Sequence, residues 1–256
     1  MQPLNTRQQA ILERLRAQQY LLIDELAEQM AVTPQTIRRD INDLCDKGLA
    51  RRHHGGVGLP AGLHNTTLLE REHSEAEAKS ALAEQVARHV PNSSSLFLGV
   101  GSTMVFVAQA LRQHRDLRII TNNLAVARVL CDNPEIEVLV AGGSLRHSDQ
   151  DVVGAATVGW LNQFRADAAV IGCGGIDLQF GVMDFTPEEA EISRVMAANA
   201  SETLLAFDHS KWTRRALVKV FPLAQVDLIA TDELSSERAA RLAEARIHVL
   251  ASAKTA

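Results

Sequence analysis

The chain predicts two unlike domains: a small helical head ending in a basic β-hairpin, and a larger α/β domain built on a largely parallel sheet. Three observations carry this. A cluster of short amphipathic helices occupies the first 58 residues and is closed by the basic, glycine-rich run "RRHHGGVG". A stretch with proline, glycine and small polar residues comes next, "LPAGLHNTT", with no periodicity. Beyond it, β-rich runs alternate with helical ones, the pattern of strands joined by crossover helices. With 256 residues, 46% apolar and 22% charged, the chain has enough material for one small core and one full one, and is neither disordered nor low-complexity. Domain boundaries are therefore expected at 1–58, a linker at 59–67, and 68–256.

Each element has a local reason. In "TRQQAILERLRAQ", residues 6–18, Ala10, Ile11, Leu12 and Leu15 form the apolar stripe of a first helix. "IDELAEQM" repeats the pattern through Ile23, Leu26, Ala27 and Met30, with Asp24 and Glu25 at its positive N-terminal end. After the turn "AVT", Thr33 is placed to cap the third helix and Pro34 suits its first position, where no N–H is needed. Ile37, Ile41 and Leu44 make its buried stripe, and Gly48 is expected as its C-cap. That register pushes Gln35, Thr36, Arg38, Arg39 and Asn42 outward.

Those are side chains that read DNA: arginine pairs bidentately with guanine, asparagine and glutamine with adenine, and a helix N-terminus meets phosphate. The reading is a winged helix-turn-helix whose wing carries Arg51, Arg52, His53 and His54 to the backbone or minor groove. The DNA-binding set is thus Thr33, Gln35, Thr36, Arg38, Arg39, Asn42, Arg51, Arg52, His53 and His54. Net charge is not the signal, since residues 1–58 hold 8 Lys and Arg against 7 Asp and Glu, and the remainder 18 against 24. What matters is that the basic side chains of the head cluster between positions 38 and 52.

"TPQTIRRDINDL" with "RRHHGG" after it resembles the N-terminal signature of the DeoR family of bacterial transcription regulators. The resemblance implies a DNA-binding homodimer or homotetramer acting on operator DNA.

In the larger domain, "LLEREHSEAEAKSALAEQVARHV" restores helical spacing through Leu82, Val86 and Val90, with an acidic face read as solvated. Strands are expected at "SLFLGV", "LRIIT", "IEVLVAGG", "AAVIGCGG", "TLLAFD", "VDLIAT" and "RIHVL". In such sheets ligands gather beyond the carboxyl ends of strands. Small or polar residues occupy those positions here: Gly99, Gly101, Ser102 and Thr103 after the first strand, Asn122 and Asn123 after the second, Gly142, Gly143 and Arg146 after the third. Asp177 comes after the fourth and Lys211 after the fifth. Glycines and hydroxyls at a helix start suit a phosphate, amides and an acid suit sugar hydroxyls, and Arg146 and Lys211 supply positive charge. Together these residues are the expected effector-binding set.

The same segments resemble the effector-binding half of the DeoR family, whose fold is similar to ribose-5-phosphate isomerase. That implies a phosphorylated sugar or polyol held at Gly101, Ser102 and Thr103 with Lys211 nearby, and repression of a carbohydrate catabolic operon. Within the family the glycerol-3-phosphate repressor group reads similarly at "TNNL", "GGID" and "DHSK", but departs where this chain has "VMDFTPEEAEI".

An isomerase with an accessory nucleic-acid-binding domain is the alternative. It needs acidic groups in the loop equivalent to "GCGG", which that enzyme family fills with a GADE-like sequence and this chain fills with Gly174 and Gly175. No turnover is therefore expected. Cys45, Cys131 and Cys173 lie far apart with no metal-ligand spacing, so neither a zinc site, a disulfide framework nor any cofactor is expected. Without an apolar leader or a membrane-length run, the expected location is the cytoplasm.

Overall fold

The computed structural model describes residues 4–18, 20–47, 49–53, 55–58 and 67–250, in two compact units, 1–75 and 76–256. The linker expected at 59–67 lies, save Thr67, outside the described residues, as does the expected cap Gly48. No described helix is long and apolar enough to cross a membrane.

The first unit contains α1 (Thr6–Gln18), β1 (Tyr20–Leu22), α2 (Ile23–Gln29), α3 (Pro34–Asp46), β2 (Arg51–His53), β3 (Gly56–Gly58) and α4 (Leu68–His73). Its three main helices bury the expected stripes, with Ile11, Leu15, Ile37, Ile41 and Leu44 meeting in one core. The wing has a third strand that periodicity could not announce, because three residues are too few to show a period. Tyr20–Leu22 pairs antiparallel with Gly56–Gly58, giving the order β1-β3-β2.

The helix expected from 68 to 90 is two helices, α4 and α5 (Ala76–His89). Glu75 between them has φ 51°, in the left-handed region that ends a helix. Thr67 and Glu70 form a capping box that starts α4 afresh, and the ring of His73 stacks on Tyr20 at 6.0 Å. Residues 68–75 thus group with the first unit, where the sequence placed them in the second.

The second unit continues with β4 (Ser95–Leu98), α6 (Ser102–Leu111), β5 (Leu117–Thr121), α7 (Leu124–Leu130), β6 (Ile136–Val140), β7 (Ser144–Arg146), β8 (Asp151–Val153), α8 (Ala155–Leu161) and β9 (Ala166–Ile171). Then come β10 (Gly175–Asp177), β11 (Gly181–Asp184), α9 (Pro187–Ala198), β12 (Ala200–Ala206), β13 (Val218–Phe221), β14 (Leu228–Ala230), α10 (Ser236–Glu244) and β15 (His248–Val249). All seven expected strands join one sheet in the order β15-β14-β12-β9-β4-β5-β6, and every pairing is parallel. Alternation along β4 splits the core: Leu96 and Leu98 face α5, α6 and α7, whereas Phe97 faces α9 and α10. Two antiparallel additions, β7-β8 and β10-β11-β13, decorate the carboxyl side and were not expected.

The strand order locates the site. From β4 the chain steps outward through β5 and β6, then returns to β9 and steps the other way through β12, β14 and β15. The reversal between β4 and β9 is a topological switch point, where the loops leaving neighbouring strands diverge and open a crevice.

Candidate functional site

In the first unit the outer face of α3 is built as its register requires. Thr33 accepts a hydrogen bond from Thr36 N at 3.3 Å, and Gln35, Arg38, Arg39 and Asn42 are exposed. Asn42 is tied to the wing: Arg52 Nη1 donates to its Oδ1 at 3.2 Å. Arg38, Arg51 and Arg52 line one groove with Ile23, Gly55, Ser74 and Glu75, so three of the expected arginines converge. His54 and the side chain of His53 lie outside the described residues. The helix itself is anchored by a residue that sequence reasoning missed. Asp40, 4% exposed, accepts from Arg7, and from Gln8 and Asn5 at 3.4 Å each, fastening α3 to the start of α1.

In the second unit the switch-point crevice is lined from both sides. Gly99 N donates to Val170 O at 3.0 Å, stitching the loop after β4 to β9. Gly101 has φ +100° and ψ 165°, a conformation open to glycine at low cost, and precedes α6 with no side-chain cap. The first N–H groups of α6 and the buried Ser102 and Thr103 therefore share one spot. Opposite, a Cβ on Gly172 would sit 3.2 Å from Val100 O, so the two loops touch. Lys211, in the 3-10 turn His209–Trp212 after β12, lies against Gly175, and its charge acts on both Cys173 and Asp208. Gly99, Gly101, Ser102 and Thr103 thus follow the carboxyl end of β4, and Lys211 follows that of β12.

The other expected residues do different work. Asn123 caps α7, its Oδ1 accepting from Ala125 N and Val126 N, while its Nδ2 supports Gly99 O at 3.4 Å. Asn122 is fully buried; its Nδ2 donates to Val152 O at 2.8 Å, and its Oδ1 has no hydrogen-bond partner among the described residues. Gly142 and Gly143 seat the turn on α8: Thr157 Oγ1 donates to Gly142 O, and a Cβ on Gly143 would fall 2.1 Å from that hydroxyl. Asp177 is exposed and closes the β10-β11 turn by accepting from Gln179 N and Phe180 N.

Arg146 departs most from expectation. Its guanidinium binds Asp151 at 2.7 and 3.0 Å and Glu189 at 3.1 Å, with Asp149 at 3.8 Å. Burial works against its charge, yet those carboxylates raise its pKa overall. Burial also raises the pKa of Asp151, against the pull of Arg146. Three acids around one base use up the cation, so an anion is not drawn here.

Lys79 at 1% exposure, Asp208 at 1% and Asp184 at 6% are further buried charged residues outside the expected set. Burial favours the neutral form of Asp208, but Lys211, Lys79 and the bonds from Ser210 outweigh it and hold the carboxyl below its ordinary value. For Lys79 a signal existed. With Leu82, Ala83 and Val86 it stands at i, i+3, i+4 and i+7, on the apolar stripe itself. Cys173 sits among these charges, and burial, the largest influence, raises its thiol pKa; the nucleophilic thiolate is disfavoured.

Known proteins share both halves of this architecture. Residues 7–61 match the DeoR-like helix-turn-helix domain and residues 74–233 the DeoR C terminal sensor domain. The chain is 39% identical to the glycerol-3-phosphate regulon repressor of Escherichia coli, covering 88% of this chain and 90% of that one. It is 40% identical to the HTH-type transcriptional repressor CsqR of the same organism, over 96% and 95%. A putative aga operon transcriptional repressor from Escherichia coli O157:H7 is 31% identical over 89% and 86%. Among solved structures, ribose 5-phosphate isomerase A from Methanocaldococcus jannaschii matches 54% of this chain and 55% of its own at 16% identity and a TM-score of 0.41.

Proposed function

Because the chain belongs to the DeoR family of transcription regulators, we propose that it represses a sugar or polyol catabolic operon and leaves its operator when a phosphorylated metabolite fills the switch-point crevice. It is a regulator and not an enzyme, like the repressors it resembles over most of its length. The observation that carries the DNA half is the convergence of Arg38, Arg51 and Arg52 beside the exposed Gln35, Arg39 and Asn42. Phosphate contacts fix the head on the duplex and base contacts read it. Thr33 and Thr36 at the helix start, with His53 and His54, complete the proposed DNA-binding set. The protein acts as a homodimer or homotetramer in the cytoplasm, a two-fold arrangement suiting paired half-sites.

For the effector half, the uncapped start of α6 with Ser102 and Thr103 supplies donors to a phosphate, and Lys211 supplies charge. Asn122, whose buried Oδ1 lacks a partner among the described residues, remains a candidate for sugar hydroxyls. Effector binding weakens DNA binding only if the ligand prefers the low-affinity conformation, since equal affinity for both shifts nothing. The break at Ser74 and Glu75 is assigned as the transmission element: Glu75 lines the arginine groove, and four residues on, Lys79 is buried in the field of Asp208.

The test is a thermal-shift screen against phosphorylated metabolites and their unphosphorylated counterparts, then operator binding with and without the hit. Ser102→Ala with Thr103→Ala is expected to keep operator affinity while losing the thermal shift and induction. Induction of the double variant at the wild-type concentration would remove the phosphate from this loop.

A further inference from the structure

The two arginines of the wing leave its strand on opposite sides. In the antiparallel pair β2-β3, Arg52 stands opposite Val57 and Arg51 opposite Gly58. Residues directly opposed on such a ladder share a face, and neighbours along a strand alternate. Val57 and its other cross-strand partner, Leu21, are buried in the core of the first unit. Arg52 therefore leaves β2 on the side that packs on the helices, and Arg51 on the side turned away.

Contacts with α3 follow from that register. Leu49 N donates to Leu44 O at 2.9 Å in the turn between helix and strand, and the backbone N–H of Arg52 donates to the thiol of Cys45. One helical turn earlier, Arg52 Nη1 donates to Asn42 Oδ1 at 3.2 Å. A guanidinium carries donors and no acceptor, whereas a carboxamide has an oxygen that accepts and a nitrogen that donates. Arg52 thus fixes which end of the Asn42 amide faces the wing. Oδ1 is turned to the arginine, and Nδ2 is left to the exposed face that Asn42 shares with Arg38 and Arg39.

We infer that Arg52 is a positioning residue that acts on DNA through Asn42. It holds the amide with Nδ2 outward, so that Asn42 donates to an acceptor on a base edge in the major groove: purine N7, guanine O6 or thymine O4. Cytosine in that place would set its amino group against another donor. Arg51, on the other side of the strand, is left to the phosphates. This rests on the DNA reading above and adds which arginine of the wing carries sequence information.

Selection from randomised duplexes with the full-length chain supplies an operator, and fluorescence anisotropy on its single-base-pair variants at several salt concentrations supplies the readout. Asn42→Ala is expected to lose roughly five- to a hundredfold of discrimination at one base pair. Arg52→Met keeps the apolar stem and removes the donors. It should lose most of the discrimination at that same pair while the slope of log affinity against log salt stays nearly unchanged. The double variant should be no less selective there than Asn42→Ala alone, because the arginine acts through the asparagine. Arg51→Ala should instead weaken every sequence alike and reduce the salt slope by about 1. Asn42→Asp still accepts from Arg52 but offers DNA no donor, and should shift the preference at that pair to cytosine, whose amino group donates. If Arg52→Met weakens all sequences alike and reduces the slope by about 1, Arg52 is a phosphate contact and the inference is overturned, while the DNA reading stands. Asn42→Ala keeping the wild-type preference at every pair would overturn it too. Should Arg52→Met fail to fold by circular dichroism, Asn42→Asp decides: an unchanged preference overturns the inference. Wild type selecting no sequence would take away both the inference and the DNA reading.

Discussion

Tyr20 is the single tyrosine of the chain, so its ionisation can be read without interference. It is 5% exposed, stacked on His73 of α4, and its hydroxyl fills the space that a side chain at Gly56 would need, 2.3 Å from a Cβ built there. Burial first, and the charge of Glu70 second, push its pKa up to about 12 from an ordinary value of 10.0. That difference corresponds to roughly 3 kcal/mol favouring the neutral phenol in the folded state. The folded pKa is the higher one, so this stability is fully present below about pH 10 and is lost as pH rises through about 12. At about pH 11 the folded protein should show roughly a tenth of its tyrosine ionised, against about nine tenths for a free phenol. The assay is tyrosinate absorbance after a rapid pH jump, with far-ultraviolet circular dichroism confirming the fold at the same pH. A folded protein titrating near pH 10 would refute the packing. Tyr20 would then be in water, α4 would not be docked on the first unit, and the proposed route through Ser74 and Glu75 would lose its anchor.

Two arginine sites give further expected outcomes. Arg38→Ala or Arg39→Ala should weaken operator binding by about 1–3 kcal/mol where the arginine grips a base bidentately, measured by fluorescence anisotropy on labelled operator. Unchanged affinity in both variants would take the third helix out of the interface. Arg146→Met should destabilise the second unit by about 3–5 kcal/mol in urea melts, because Asp149, Asp151 and Glu189 would face one another without their cation. The deficit should shrink as pH falls, since Asp151, whose pKa burial raises, takes up a proton and part of the repulsion goes; a deficit that grows on acidification would show that the ion cluster is not its cause.

Much of the molecule was legible because its signals are local. Thr33 before Pro34, the stripe Ile37, Ile41 and Leu44, and the seven β-rich runs each depend on neighbours within a turn or a strand. Glycines and hydroxyls after Leu98 marked the crevice for the same reason: a strand turning directly into a helix exposes the donors of its first turn. What misled was charge. Asp40 falls on the stripe of α3 and Lys79 on that of α5, and both are buried. The sequence reading singled out neither, and so missed the anchor between α1 and α3 and the lysine beside Asp208.

The sequence by itself determined the three main helices of the head, the seven strands of the parallel sheet, which face of the third helix carries arginine, and which loops are polar, because propensity, capping and periodicity act over a few residues. Only the tertiary structure decided where the charges find partners. Arg146 looks in sequence like a cation at a strand end, and becomes the centre of three carboxylates because β8 and α9 fold onto it. Asp208 and Lys79 are 129 positions apart and act on one another because β12 and the first turn of α5 reach the same edge of the sheet. Strand order, and with it the switch point between β4 and β9, comes from burying both faces of one sheet at once, which no local window contains.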